Sequence, residues 1–294
     1  MKKIYLQTFC LGILSLGLAA CSSNDQDALQ DDVTFSIAAS IQGITRAPQL
    51  DATGAGTFAN GDVNTLFFQN GNGALEKTFS YTHGNSYYWN DLGLDHPIDG
   101  LKVSACYPPA DAANPQAYTW DVTSAKNLTP DLLAAPATAL KQNVTEQVNL
   151  KFNHLMHQFA VKLETDGTSV APSSLNTAVL TLSQWLPAAT INLLTAEVLN
   201  ATGAPTQKVL TGGKGSFILP PQSVGEIKLN VQVENHTQTF KLSDIQIDGK
   251  PVNRLESGKI LSLTIKVSKE SFTITGQTIN GWESQGEANG EIII

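Results

Sequence analysis

Much of what a catalytic or nucleic-acid-binding chain needs is scarce in this sequence. Its 294 residues hold three cysteines, five histidines and two methionines, and charged residues make up only 15% of them. The formal net charge is -8, with no block of Lys or Arg, whereas a protein that tracks phosphate backbones concentrates positive charge. Nucleic acid is not an expected partner. Arginine is confined to Arg46 and Arg254. There is no Gly-x-Ser-x-Gly elbow and no His-Glu-x-x-His motif. The glycine clusters Gly71-Asn72-Gly73 and Gly212-Gly213-Lys214-Gly215 lack the spacing of a dinucleotide or phosphate loop and read as turns. His154 and His157 lie three apart, which on one strand places them on opposite faces, so no metal site is expected there. Neither a catalytic residue nor a cofactor follows from the sequence, and the chain is not expected to be an enzyme.

What is present begins with an export signal. Lys2 and Lys3 precede an apolar run from Ile4 to Leu18, too short to span a bilayer, and Ala19, Ala20 and Cys21 follow. The Leu18-Ala19-Ala20-Cys21 ending resembles a bacterial lipobox. That implies a lipoprotein signal peptide over residues 1–20 and acylation of Cys21, as by palmitate. Cys10 is then discarded with the signal, leaving Cys106 without an intramolecular partner. Set between apolar positions of an alternating stretch, Cys106 reads as a small strand residue. Residues 21–32 form an acidic tether with almost nothing to join a core. Its Asp25 and Asp27 resemble the acidic signal that sends Bacteroidetes lipoproteins to the outer face of the outer membrane; a plain linker has the same composition.

Beyond the tether the dominant period is two, the mark of strands with one face buried. It runs through Val33, Phe35 and Ile37, through Val148, Leu150 and Phe152, and through Phe159, Val161 and Leu163. It returns at Ile227, Leu229, Val231 and Val233, and at Leu261, Leu263, Ile265 and Val267. Turn chemistry separates these runs at 70–73, 212–215 and Asp248-Gly249-Lys250-Pro251. One helical turn is predicted at Thr129-Pro130-Asp131-Leu132-Leu133, capped by Thr129 and ended by Pro136. The fold class is therefore all-β, and the length suits two tandem β-sandwich domains. The loop-like stretch 166–174 divides them, giving an N-terminal sandwich over 33–165 and a C-terminal one over 175–294. Tyr87, Tyr88, Trp89, Tyr118 and Trp120 are read as core aromatics, a sugar-stacking platform being the other use of such a cluster.

Four further stretches stand out in order. The first is Ile44-Thr45-Arg46-Ala47 with Phe58-Ala59-Asn60-Gly61-Asp62-Val63 after it, and the second is Val103-Ser104-Ala105-Cys106-Tyr107-Pro108. The third joins Asp131-Leu132-Leu133-Ala134 to the segment from Val148 to Leu163, which contains Phe152-Asn153-His154. The fourth combines Leu219-Pro220-Pro221-Gln222, Ser257-Gly258-Lys259-Ile260 and Ile279-Asn280-Gly281-Trp282. Together they resemble the fimbrillin-like family of Bacteroidetes, the subunits and relatives of type V pili.

The resemblance implies two transthyretin-like β-sandwiches, a lipid-anchored place on the outer membrane at the cell surface, and a part in cell adhesion as a component of a pilus or fimbrium. In the family an arginine-specific protease removes the first strand, and another subunit's terminal segment fills the opened sheet edge. Carried to this chain, the cut falls between Arg46 and Ala47 and the removable strand is 33–46. The donor is then Glu291-Ile292-Ile293-Ile294 with strand residues before it. Expected partners are other fimbrillin-type subunits, outer-membrane lipid through Cys21, and a host or microbial glycan or protein. The alternative is a surface lipoprotein that keeps its first strand, does not polymerise and binds glycans.

Overall fold

The computed structural model describes residues 33–42, 57–269 and 271–281. The signal, the tether, Cys21, Arg46, Ala47, Glu291, Ile292, Ile293 and Ile294 lie outside the described residues. In chain order the strands are β1 (Thr34–Gln42), β2 (Val63–Gln69), β3 (Leu75–Thr82), β4 (Tyr87–Tyr88), β5 (Lys102–Tyr107), β6 (Tyr118–Asp121), β7 (Leu133–Ala139), β8 (Gln147–His154) and β9 (His157–Thr165). There follow β10 (Val179–Trp185), β11 (Ala188–Asn192), β12 (Glu197–Thr202), β13 (Thr206–Thr211), β14 (Lys214–Leu219), β15 (Gln222–Ser223) and β16 (Lys228–Val233). The last are β17 (His236–Lys241), β18 (Gln246–Ile247), β19 (Lys250–Pro251), β20 (Arg254–Leu255), β21 (Lys259–Val267) and β22 (Phe272–Gly281). Helix among the described residues is limited to short 3-10 segments, so the chain is all-β. The predicted turn of helix at 129–133 does not form. There the Thr129 hydroxyl accepts the Asp131 N–H in a tight turn, and Leu133 already opens β7. Pro136 sits exposed inside β7, where the β5–β7 register slips and its missing N–H costs no ladder bond.

A seven-stranded sheet, ordered β3-β2-β5-β7-β8-β1-β4, organises the first half. Leu66, Phe68, Val103, Ala105, Val148, Leu150 and Phe152 bury one face of it with Phe35, Ile37 and Ile41. The opposite face is buried too, because Phe67, Cys106, Leu132 and Ala134 join the core of the second half. Strands covered on both sides carry no alternation, which is why β2 reads as the unbroken run Leu66-Phe67-Phe68. The polar residues on that second face are satisfied internally. Thr65 Oγ1 accepts the Ala110 N–H at 3.0 Å, and Gln69 Nε2 donates to Ser104 Oγ at 3.2 Å.

Two four-stranded sheets, β14-β9-β21-β22 and β13-β10-β16-β17, form a sandwich in the second half. Phe159, Val161, Leu163, Phe217, Leu261, Leu263 and Ile265 meet Leu180, Leu182, Leu229 and Val231 between them. The chain changes sheets between β8 and β9, across Leu155 and Met156 alone. Segment 166–174 joins β9 to β10, whose buried side chains lie in one core. It is a tied loop rather than a free linker. Asp166 Oδ1 accepts the backbone N–H of Thr168, Ser169 and Val170. The Ser169 hydroxyl and these amides hold the Asp166 carboxyl well below the usual carboxylate range.

The crossover is fastened by buried polar groups. His154 Nδ1 donates to Asp131 Oδ2 at 2.6 Å, with both side chains buried. Ser257 Oγ donates to the Leu155 carbonyl at 2.9 Å, and the Gly258 N–H to that of Met156 at 3.0 Å. Gly258 has φ +65°, and a Cβ there would stand 3.0 Å from the His154 carbonyl oxygen. His157 lies on the next strand, buried, with Nδ1 donating to the Glu256 carbonyl at 2.9 Å. The two histidines thus belong to separate strands. Burial holds His157 down to about 4, partly offset by the Glu256 carbonyl.

A pH dependence follows from the lowered value. Above the ordinary 6.5 both folded and unfolded chains hold a neutral imidazole; as pH falls from there to about 4 only the unfolded chain takes up the proton. Stability is lost across that window, by roughly 3 kcal/mol between about pH 7 and about pH 4 from this group. Urea unfolding of the wild type and His157→Asn over that range is expected to show the variant losing less by about that amount. Equal losses would remove His157 from the account.

Candidate functional site

β1 is the strand on which the sequence-derived site depends, and its setting is unlike that of its neighbours. Every residue from Ser36 to Gln42 pairs with β8, from Gln147 to Asn153, in parallel, in a sheet whose other pairs are antiparallel. At its start, Thr34 and Phe35 pair antiparallel with β4, and the Trp89 N–H donates to the Val33 carbonyl at 3.0 Å. Past Phe35 the strand's second edge has no partner among the described strands.

Alternate side chains of β1 enter pockets of the first core. Ile37 and Ile41 are buried, while Ala39 is half-buried between them. Phe35 is caged by Phe68, Trp89 and Tyr81, with ring centroids 5.9, 5.4 and 6.2 Å away in edge-to-face arrangements. The cage is braced from outside. Trp89 Nε1 donates to the Val144 carbonyl at 3.0 Å, and Tyr87 packs 5.0 Å from Tyr81. At the other end Phe58, from the first family-like stretch, packs on His83, Phe152 and Tyr107 at 4.8, 4.9 and 5.2 Å and closes the core below Ile41. Burying Phe35, Ile37 and Ile41 is worth roughly 1.5–3 kcal/mol each at most.

The same topology recurs in the second half. β9, its first strand, pairs in parallel with β21 from Gln158–Ile260 to Thr165–Val267, as β1 does with β8. Each half contains one such parallel pair, and β22, added antiparallel to β21 after it in the chain, lies outside that pair. Its sequence is familiar. Thr34-Phe35-Ser36-Ile37-Ala38-Ala39-Ser40-Ile41-Gln42 matches Ser271-Phe272-Thr273-Ile274-Thr275-Gly276-Gln277-Thr278-Ile279-Asn280 in chemical type, once a single inserted residue is allowed. The insertion falls close to the β21–β22 register slip at Thr264/Ile265. β22 is held more loosely than β1: Ile274 is buried, but Phe272 is only partly so.

The remaining sites take plainer roles. Trp89 and Trp120 are each 3% exposed and pack in different cores, so neither ring is open for stacking on a sugar, while Tyr88 is exposed. Trp120 Nε1 donates to the Pro130 carbonyl at 2.9 Å. Cys106 is buried in β5, and desolvation pushes its thiol up to about 12, far from the reactive range. Among the described residues no His, Cys, Asp and Glu group suits a metal ion, and no helix is long and apolar enough to cross a membrane. A cleft of about 780 Å³ lies between Leu128–Asp131 and β14, with Tyr107, Gln158 and Lys214 on its walls. Arg254 is exposed within β20, paired with Ser223 beside the buried Leu255.

Phe35→Ala is expected to cost about 3–5 kcal/mol by urea unfolding, because the caged ring leaves a cavity. Ser40→Ala, on the exposed side of the same strand, is expected to stay within about 0.5 kcal/mol. Similar small losses at both would mean that the cage contributes little.

A family model described as fimbrillin-like matches residues 45–282. A curated relative from Bacteroides uniformis, named "Putative fimbrium subunit Fim1C", is 24% identical over 312 residues, covering 99% of this chain and 98% of its own. The fold is that of a crystal structure of a "putative cell adhesion protein" from the same species, 19% identical with a TM-score of 0.65, over 85% of this chain and 98% of that one. A second such structure, from Bacteroides ovatus, is 18% identical with a TM-score of 0.58, over 86% of this chain and 99% of that one. The family match takes in the Phe58 plug, the β8–β9 crossover and β22, and the chain belongs to the fimbrillin-like family.

Proposed function

We propose that the protein is a non-enzymatic, cell-surface component of a fimbrium that takes part in adhesion and assembles by exchanging strands between copies. The observation that carries this reading is the pair β1 and β22. One lies in a pocketed bed, its second edge unpaired past Phe35 among the described strands; the other repeats its pattern on a strand that lies outside the parallel pair of its own half. In this reading Cys21 is lipidated, a protease cuts between Arg46 and Ala47, and β1 leaves the edge of β8. Strand β22 of the next copy then fills the bed, its Phe272 and Ile274 taking the stations of Phe35 and Ile37. The donor is thus Phe272–Gly281 together with the residues C-terminal to it, rather than residues 291–294 alone. The relative named as a fimbrium subunit and the solved adhesion proteins support the same assignment.

The two arginines make the test sharp. A protease needs several residues in extended form in its cleft, and Arg254 is held in a ladder. Treatment with an arginine-specific protease is expected to give one new N-terminus at Ala47, with Arg254 intact, followed by fibres visible by electron microscopy. Arg46→Ala is expected to abolish both, and a chain ending at Lys269 to be cut but to stay monomeric. Fibres from the truncated chain, or a cut chain of wild-type length that never associates, would sink the reading.

A further inference from the structure

The two ends of β1 are held by different means, and a cut at Arg46 frees only one of them. Among the described strands, β1 from Ser36 to Gln42 rests on a single ladder. Its start is clamped on three sides, by β4, by the Trp89 N–H and by the aromatic cage around Phe35. Every member of that clamp, Phe68, Tyr81, Tyr88 and Trp89, lies after residue 47 and stays with the body of the protein. Cys21, by contrast, lies before the cut and stays with β1. The cut therefore breaks the covalent link between lipid and body but none of the contacts that seat the strand.

We infer that the cut first strand remains seated, latched by Phe35, and keeps the body attached to the lipid of Cys21 until a strand carrying an aromatic residue displaces it. This rests on the proposed strand exchange and deepens it. Displacement starts at the Gln42 end, where the cut leaves a loose terminus, and finishes at the cage. The partner is defined by that last station. A strand that offers aliphatic residues to the Ile37 and Ile41 pockets but no ring to the cage stalls before the latch opens. In this chain Ser271–Gly281 meets the requirement, since Phe272 stands two residues before Ile274 as Phe35 stands two before Ile37. Leaving the membrane and gaining a partner then become a single event.

The experiment uses the full-length lipidated chain, bound to vesicles and nicked by an arginine-specific protease. A variant with a foreign protease site in place of residues 49–54 supplies the nicked chain if Arg46 resists, so the cleavage reading can fail without touching this one. The body is expected to float with the vesicles after nicking, and fragment and body to co-elute in detergent on gel filtration. A synthetic peptide of Ser271–Gly281 is expected to release the body, and the same peptide with Phe272→Ala to do so at least tenfold more slowly. Phe35→Ala in the chain is expected to shed the body on nicking alone. Phe35→Leu, which fills the cage without a ring, keeps this arm readable if the alanine variant does not fold. Loss of the wild-type body on nicking without peptide, or equal release by the two peptides, overturns the inference.

Discussion

The parallel pairing of the first strand of each half with a distant later one, β1 on β8 and β9 on β21, is the constraint from which the rest of the architecture follows. A parallel pair cannot be joined by a hairpin, so everything between the two strands must be laid out as a connection. In the first half that connection supplies β2, β3, β5 and β7, which with β8 build the sheet that β1 joins, and β6, which pairs with β11 instead. The ladder joins residues more than a hundred positions apart, and among the described strands β1 is bonded along one edge for most of its length. A strand with those properties is separable in a way that central β2 or β5 is not.

The cores show which contacts depend on β1 and which do not. The seven-stranded sheet is buried on both faces, one in its own core and the other against the second half. Phe67, Cys106 and Leu132 keep their contacts whatever occupies the edge of β8. The cost of losing β1 is confined to one face and to the pockets of Phe35, Ile37 and Ile41. Phe58, held over Phe152 and Tyr107, stays behind to seal the end of that core.

Half-buried strands were legible in the sequence. The alternating runs at 33–37, 148–152, 159–163, 227–233 and 261–267 fall on β1, β8, β9, β16 and β21, with the expected residues inward. The strand covered on both faces at Leu66-Phe67-Phe68 was not, since it shows no period, whereas the stretch around Cys106 was read as a strand and falls on β5. The loop composition at 166–174 was legible, and there Asp166 accepts the backbone N–H of Ser169 and Val170, which ties the loop down. The sheets part at Leu155-Met156, two apolar residues that resemble a strand interior. Of the proposed site, the first strand entered through family resemblance. The likeness between β1 and β22 was also present in the sequence, hidden by one inserted residue and by a separation of more than two hundred positions. Only the bulge beside it and the recurring parallel ladder give that likeness a meaning.

The two-residue crossover has a mechanical consequence. β8, which carries the bed, continues through Leu155 and Met156 into β9, which lies beside β21, which in turn carries β22. In a filament linked through those strands, tension runs from one joint to the next along nearly continuous backbone, with no slack linker to extend first. The fastening of the turn by Asp131, Ser257 and Gly258 keeps that line taut. Pulling along a strand loads all of its ladder bonds at once in shear, whereas peeling would break them singly. A fibre of such units resists flow as a cable does, its strength set by the joints rather than by the links.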